Sequence, residues 1–148
     1  MKKFILTTLA AAAFSANAVE VGINGFETAR TGGQVGTAVT VGTKVDSFDV
    51  VGGVGRVSDG TKGFDRWTAT FEKKLMKVGP VKVEGRAGVA YVDNLTGKDG
   101  AVATAGLGLE MPVTKHIKAV AFADHQFGRK TVAHTEGNIL AAGVTVGF

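Results

Sequence analysis

The chain has 148 residues, enough for one domain, with 17 Lys and Arg against 13 Asp and Glu and no cysteine. Disulfide stapling is excluded, and so slight a positive balance, without a basic cluster interleaved with aromatics, gives no case for a nucleic-acid partner. Twenty-two glycines against two prolines, spread evenly among Val, Ala and Thr, argue for successive strands and against a disordered linker.

At the N-terminus, Lys2 and Lys3 precede an apolar stretch from Phe4 to Phe14, and Ala16-Asn17-Ala18 supplies a small-x-small cleavage pattern. This arrangement predicts an export signal over residues 1–18 and a mature domain over 19–148, beginning at Val19. The apolar stretch is too short for a membrane helix, which needs about 20 residues. Removing Lys2 and Lys3 with the leader lowers the net charge from +4 to +2.

Alternating polarity then recurs in eight runs: Val19–Glu27, Gln34–Val45, Phe48–Val57, Phe64–Leu75, Val81–Val92, Ala101–Met111, Ile117–Phe127 and Asn138–Phe148. Each has about 9–12 residues, the length of a tilted membrane-crossing strand, whereas strands of soluble proteins average about 5–6. The connections alternate in length. Longer ones fall at Thr28–Gly33, Ser58–Gly63, Asp93–Gly100 and Gly128–Gly137, and shorter ones at Asp46-Ser47, Met76–Pro80 and Pro112–His116. An even number of strands with long loops at one end and short turns at the other predicts an all-β, eight-stranded antiparallel up-and-down barrel. The short turns belong on the periplasmic side.

Polarity decides which face is which. One parity carries Val35, Thr37, Val39, Val41 and Val45 in the second run, and Trp67, Ala69, Phe71 and Leu75 in the fourth. The fifth continues it with Val81, Val83, Ala87, Val89 and Tyr91, and the sixth with Ala103, Ala105, Leu107, Leu109 and Met111. The opposite parity mixes glycine and threonine with Lys44, Arg66, Glu72, Lys74, Lys82, Glu84, Arg86 and Glu110. A charged Lys or Arg facing the hydrocarbon midplane costs about 2–4 kcal/mol, so the apolar parity is expected to face lipid and the charges the lumen. Lys73 breaks the pattern, near a strand end where a long side chain reaches the headgroups. Gly52-Gly53 in the third run suggests a phase-shifting bulge, and the parities of the third and seventh runs are left open. Trp67 and Tyr91 share the outward parity near the expected extracellular rim, with Phe48 and Phe148 at the periplasmic one, a thin version of an interfacial aromatic girdle.

The leader, the eight runs and a last strand ending Val144-Thr145-Val146-Gly147-Phe148 together resemble the small outer-membrane barrel family of the OmpX and opacity-protein type. The resemblance covers the whole expected mature chain as a pattern. It implies insertion by the outer-membrane assembly machinery, which would read Leu140, Ala142, Val144, Val146 and Phe148. It also implies an outer-membrane location and contact with outer-membrane lipids and lipopolysaccharide. The loops are shorter than those of the adhesive members, and a monomer is expected.

Inside the barrel, Glu72, Lys74, Lys82, Glu84, Arg86, Glu110 and Lys118 are the expected charge network. Symmetric hairpins place Lys82 opposite Glu110, Glu110 opposite Lys118 if Lys118 points inward, and Glu72 diagonal to Lys82 and Arg86. Paired charges plugging the lumen are the expected role, because an unpaired buried charge costs several kcal/mol. A narrow solute channel and a soluble lipocalin-like periplasmic barrel are the alternatives. His116, His125 and His134 are too widely spaced for a zinc site, and neither a metal nor a cofactor is expected. Ser58 and His125 lack a third partner for nucleophilic catalysis, and Gly52-Gly53-Val54-Gly55 lacks the helix and Lys-Ser/Thr of a phosphate loop. No enzyme activity is predicted. Lys62, Arg129 and Lys130 in the long loops are the positions from which lipopolysaccharide phosphates would be met, but solvated loop charges are the preferred reading of them.

Overall fold

All eight runs form strands, β1 (Val19–Thr28), β2 (Gln34–Val45), β3 (Phe48–Ser58), β4 (Gly63–Val78), β5 (Val81–Asn94), β6 (Gly100–Pro112), β7 (Ile117–Phe127) and β8 (Gly137–Gly147). The computed structural model describes residues 19–28, 34–58, 63–94, 99–128 and 137–148. The expected leader, Lys62, Arg129, Lys130 and His134 lie outside the described residues, as does the side chain of Ser58. Each strand pairs antiparallel with the next, and β8 pairs with β1 to close the barrel, with the Phe148 amide donating to the Val19 carbonyl at 3.1 Å. Closure satisfies every strand edge, the condition for crossing a bilayer with strands.

The strands are steeply inclined. Partners traced round the barrel from Val19 pass through Thr43, Val50, Phe71, Ala87, Ala105 and His125 to Asn138, one residue from the Ile139–Thr28 pair. A path leaving β1 at its first residue thus returns at its far end, the stagger that goes with a tilt of about 35–45°.

The turns at the short-connection end follow local chemistry. Asp46 takes a φ of 56° in the two-residue β2–β3 turn, a conformation Asp tolerates better than most side chains. Gly79 does the same at 59° before Pro80. After β6, the Thr114 hydroxyl accepts from the amides of His116 (3.3 Å) and Ile117 (3.0 Å), and the Val113 and Thr114 amides return to the Ile117 carbonyl.

Two expectations from the sequence are corrected. The β4–β5 turn is only Gly79-Pro80, not Met76–Pro80, because β4 continues to Val78. The register is unbroken through Gly52 and Gly53, and the bulge lies instead in β4 at Leu75, between the Lys74–Glu84 and Met76–Val83 pairs. Gly53 answers to crowding: a Cβ there would stand 2.8 Å from the Thr68 hydroxyl inside the barrel. The Leu75 bulge rephases a run that strict alternation would have turned the wrong way, keeping Met76 outside and Lys77 on the lumen parity.

The polarity is inverted relative to a soluble protein. Val39, Leu107 and Val144 are 48%, 55% and 48% exposed on the outer face, whereas Glu72 is buried and Lys82 faces the lumen. The two undecided strands now have a parity. In β7, Lys118, Val120, Phe122, Asp124 and Gln126 point inward; in β3, Asp49, Val51, Gly53 and Gly55 do. The small apolar core is inside the barrel. Ile139 and Ala141 pack with Ala38 and Phe122, and Ala90, Val92 and Val102 are buried toward the end that carries the longer connections.

Candidate functional site in the barrel lumen

The lumen charges form two connected groups. In the first, Lys118 Nζ of β7 donates to Glu110 Oε2 of β6 at 3.1 Å and also reaches Glu20 of β1, while Glu110 Oε1 accepts from Lys82 of β5. Four residues thereby tie four strands together, and the expected Lys82–Glu110–Lys118 chain is present because Lys118 does point inward. Glu20 was not anticipated, since β1 joins β7 only through closure of the barrel.

The second group centres on Arg86. Its Nη1 pairs with Glu72 of β4, its Nε donates to Asp124 Oδ1 of β7 at 3.1 Å, and its guanidinium carbon lies 3.9 Å over the Phe122 ring. Glu72 stands directly across from Arg86 in the register, not diagonally, because the tighter turn and the Leu75 bulge shift the hairpin. Glu72 has no bond to Lys82. Both acids and the arginine are largely shielded from solvent, so each charge depends on the others.

Glycine makes the Arg86–Asp124 contact possible. Gly106 lies between them in the row Arg86–Gly106–Asp124, and a Cβ there would stand 2.7 Å from Asp124 Cα. Gly106→Val is expected to cost about 2 kcal/mol through overpacking, measured by urea unfolding in lipid vesicles. An unchanged midpoint would mean that the row tolerates a side chain.

Above this pair, toward the longer connections, buried Arg66 donates from Nε to Gln126 Oε1 at 3.0 Å. Arg66 is on the expected inner parity of β4 but has no expected partner, and Asp124, Gln126 and Phe122 are absent from the expected network because the sequence leaves the parity of β7 open. The inner parity of β7 also carries the apolar Val120 and Phe122, so polarity along this strand does not choose a face. The alternation of Lys118, Asp124 and Gln126 was the available signal. Two expected members stand apart: Lys74 is exposed at the mouth, and Glu84 is buried but lines a cavity without an ion pair among the described residues.

Small cavities remain in the lumen among the described residues. One, of about 180 Å³ near the short turns, is lined by Lys44, Asp49, Glu72, Lys82 and Lys118; a deeper one of about 80 Å³ meets Asn24, Thr40, Thr70 and Glu84. Asn24 donates to the Thr40 hydroxyl at 3.4 Å, while its buried Oδ1, crowded against Gly143, has no hydrogen-bond partner among the described residues. Among the described residues no three His, Cys, Asp or Glu side chains converge on a metal position. His125 is on the outer face, its Nδ1 2.9 Å from Asn138 Oδ1.

Outside, Trp67 and Tyr91 are cross-strand partners on the lipid face. Phe48 lies under the Lys73 ammonium, 5.1 Å from its ring centre, and Phe148 is exposed beside the short turns. Phe71 and Phe127 add exposed rings to this surface. Leu140, Ala142 and Val144 are exposed on the outer face, and Val146 continues their parity.

No protein-family description matches the chain, and no curated protein is similar to it in sequence. Solved structures do match. Neisserial surface protein A aligns over 88% of this chain and 96% of its own, with a TM-score of 0.57 and 16% identity. A major outer membrane protein from Thermus thermophilus aligns over 88% and 99%, with a TM-score of 0.61 and 16% identity. The attachment invasion locus protein Ail of Yersinia pestis aligns over 88% and 97%, with a TM-score of 0.56 and 11% identity. At these identities the shared property is the fold, an eight-stranded barrel of the outer-membrane type.

Proposed function

We propose that this chain, an eight-stranded barrel with the fold of small outer-membrane proteins, is an integral outer-membrane protein with a structural or surface-interaction role and a lumen closed to solutes. The observation that carries the reading is Arg86, which spans the lumen between Glu72 of β4 and Asp124 of β7 above the Phe122 ring. Eight strands leave an interior only just wide enough for side chains, so an ionic crossbar occupies most of it. The apolar residues around Ile139 and Ala141 support closure of the other half.

Against a soluble ligand-binding barrel stand the exposed apolar exterior and the cavity sizes. Small-molecule pockets usually hold about 300–1,000 Å³, whereas these cavities are about 80 and 180 Å³. The role we infer is not catalytic. The partners that fit it are outer-membrane lipids, lipopolysaccharide phosphates met by the basic loop residues, and the assembly machinery reading the outward residues of β8, with the barrel acting as a monomer.

Cell fractionation tests the location. The protein should pellet with the outer membrane and migrate differently on a denaturing gel before and after boiling, and release with the periplasmic contents would defeat the reading. Purified protein in planar bilayers should give no steady conductance. A reproducible open channel would replace the plug with a conduit.

A further inference from the structure

The β4–β5 hairpin end carries features that the plugged lumen does not use. From Lys73 to Lys82 the sequence holds four lysines and no acid. Lys82 is neutralised by Glu110 inside the barrel. Lys73, Lys74 and Lys77 are exposed and make no ion pair to a described residue. Between and beside them, Leu75, Met76 and Val78 are 59%, 57% and 62% exposed.

The Leu75 bulge arranges these groups. A Cβ on Gly85, an outward position paired with Lys73, would stand 3.3 Å from Leu75 Cδ1, so Leu75 lies over the outer face of β5. Met76 and Val78 pair with the outward Val83 and Val81, so three apolar side chains continue the lipid-facing band past the bulge. Lys73 is on that same outer face with its ammonium over Phe48, while Lys74 and Lys77 rim the mouth. Apolar groups in line with the bilayer and unneutralised ammonium groups at its edge are complementary to one kind of molecule, a lipid whose headgroup carries net negative charge.

We propose that this end of the β4–β5 hairpin binds anionic glycerophospholipid of the periplasmic leaflet. The phosphodiester sits at the outer-face Lys73, with Lys74 and Lys77 at the mouth adding to the field, and the acyl chains run from there along the exposed Phe71, while Leu75 and Met76 pack at the headgroup boundary. The assignment rests on the membrane reading above, which fixes this end as the periplasmic one.

The test is native mass spectrometry of the refolded protein from mixed micelles containing equal phosphatidylglycerol and phosphatidylcholine, with gel heat-modifiability confirming the folded barrel for every variant. Preferential retention of phosphatidylglycerol on the order of tenfold is expected, because three neighbouring lysines act together on an anionic headgroup. The K73Q/K74Q/K77Q variant should fold and lose that preference, while the inner-wall variant T68S should keep it. Folded barrel with equal retention of the two lipids overturns the proposal and leaves the membrane reading intact; a chain that never becomes heat-modifiable overturns both. Lipid retention unchanged in the triple variant, with loss of co-sedimentation with purified peptidoglycan, would assign the lysines to the cell wall instead and sink the lipid site.

Discussion

Arg86→Met is expected to lower the stability of the folded barrel by about 3–5 kcal/mol, the largest effect of any single substitution considered, because it strands two buried carboxylates together. Glu72 and Asp124 approach Arg86 from opposite sides and are both shielded from solvent. Without the guanidinium, they repel each other where water cannot compensate. Urea unfolding in lipid vesicles measures this, with fluorescence of Trp67, the sole tryptophan, and the gel shift as independent probes. Neutralising the stranded acids should restore much of the loss, since a buried ion network exchanged for uncharged groups of similar volume is often nearly neutral. The R86M/E72Q/D124N variant is therefore expected to recover more than half of it. If Arg86→Met shifts stability by under about 1 kcal/mol, the crossbar does not hold the barrel together and does not plug the lumen.

Leu107→Arg is the second large effect and tests the inverted polarity itself. Leu107 is outward, exposed and near the middle of β6, with Ala123 of β7 and Gly85 of β5 as its cross-strand partners. An arginine there would face the hydrocarbon midplane, at a cost of about 2–4 kcal/mol. Lys73→Arg, also outward but beside Phe48 at the short-turn end of β3, should be nearly silent. Equal tolerance at both positions would mean that Leu107 does not face lipid, and the membrane assignment would fail with it.

The outward set was legible because it depends on one local rule. In β2, β4, β5, β6 and β8, successive side chains fall on opposite faces, so polarity along the strand is enough to orient Val39, Leu107 or Val144 without knowing any neighbour. The rule weakens where a face is mixed. In β3 an inner Val51 and an outer Val50 balance each other, and in β7 the inner Val120 and Phe122 resemble lipid-facing residues. At Lys73-Lys74-Leu75-Met76-Lys77 an extra residue shifts the phase, and no local pattern distinguishes that bulge from a tighter alternation. Pairings across one hairpin, such as Lys82 with Glu110, were within reach because a turn sets its own register.

By itself, then, the sequence determined the strand count, the barrel class and the apolar exterior, all consequences of a two-residue period repeated eight times. Only the tertiary structure decided that Arg86 reaches Asp124 over Gly106 and that Lys118 reaches Glu20 across the closing seam. Those contacts depend on the stagger accumulated round a closed sheet, to which every turn length and the bulge at Leu75 contribute. A partner two strands away is fixed by the sum of these shifts, and alternation within a single strand contains no record of that sum.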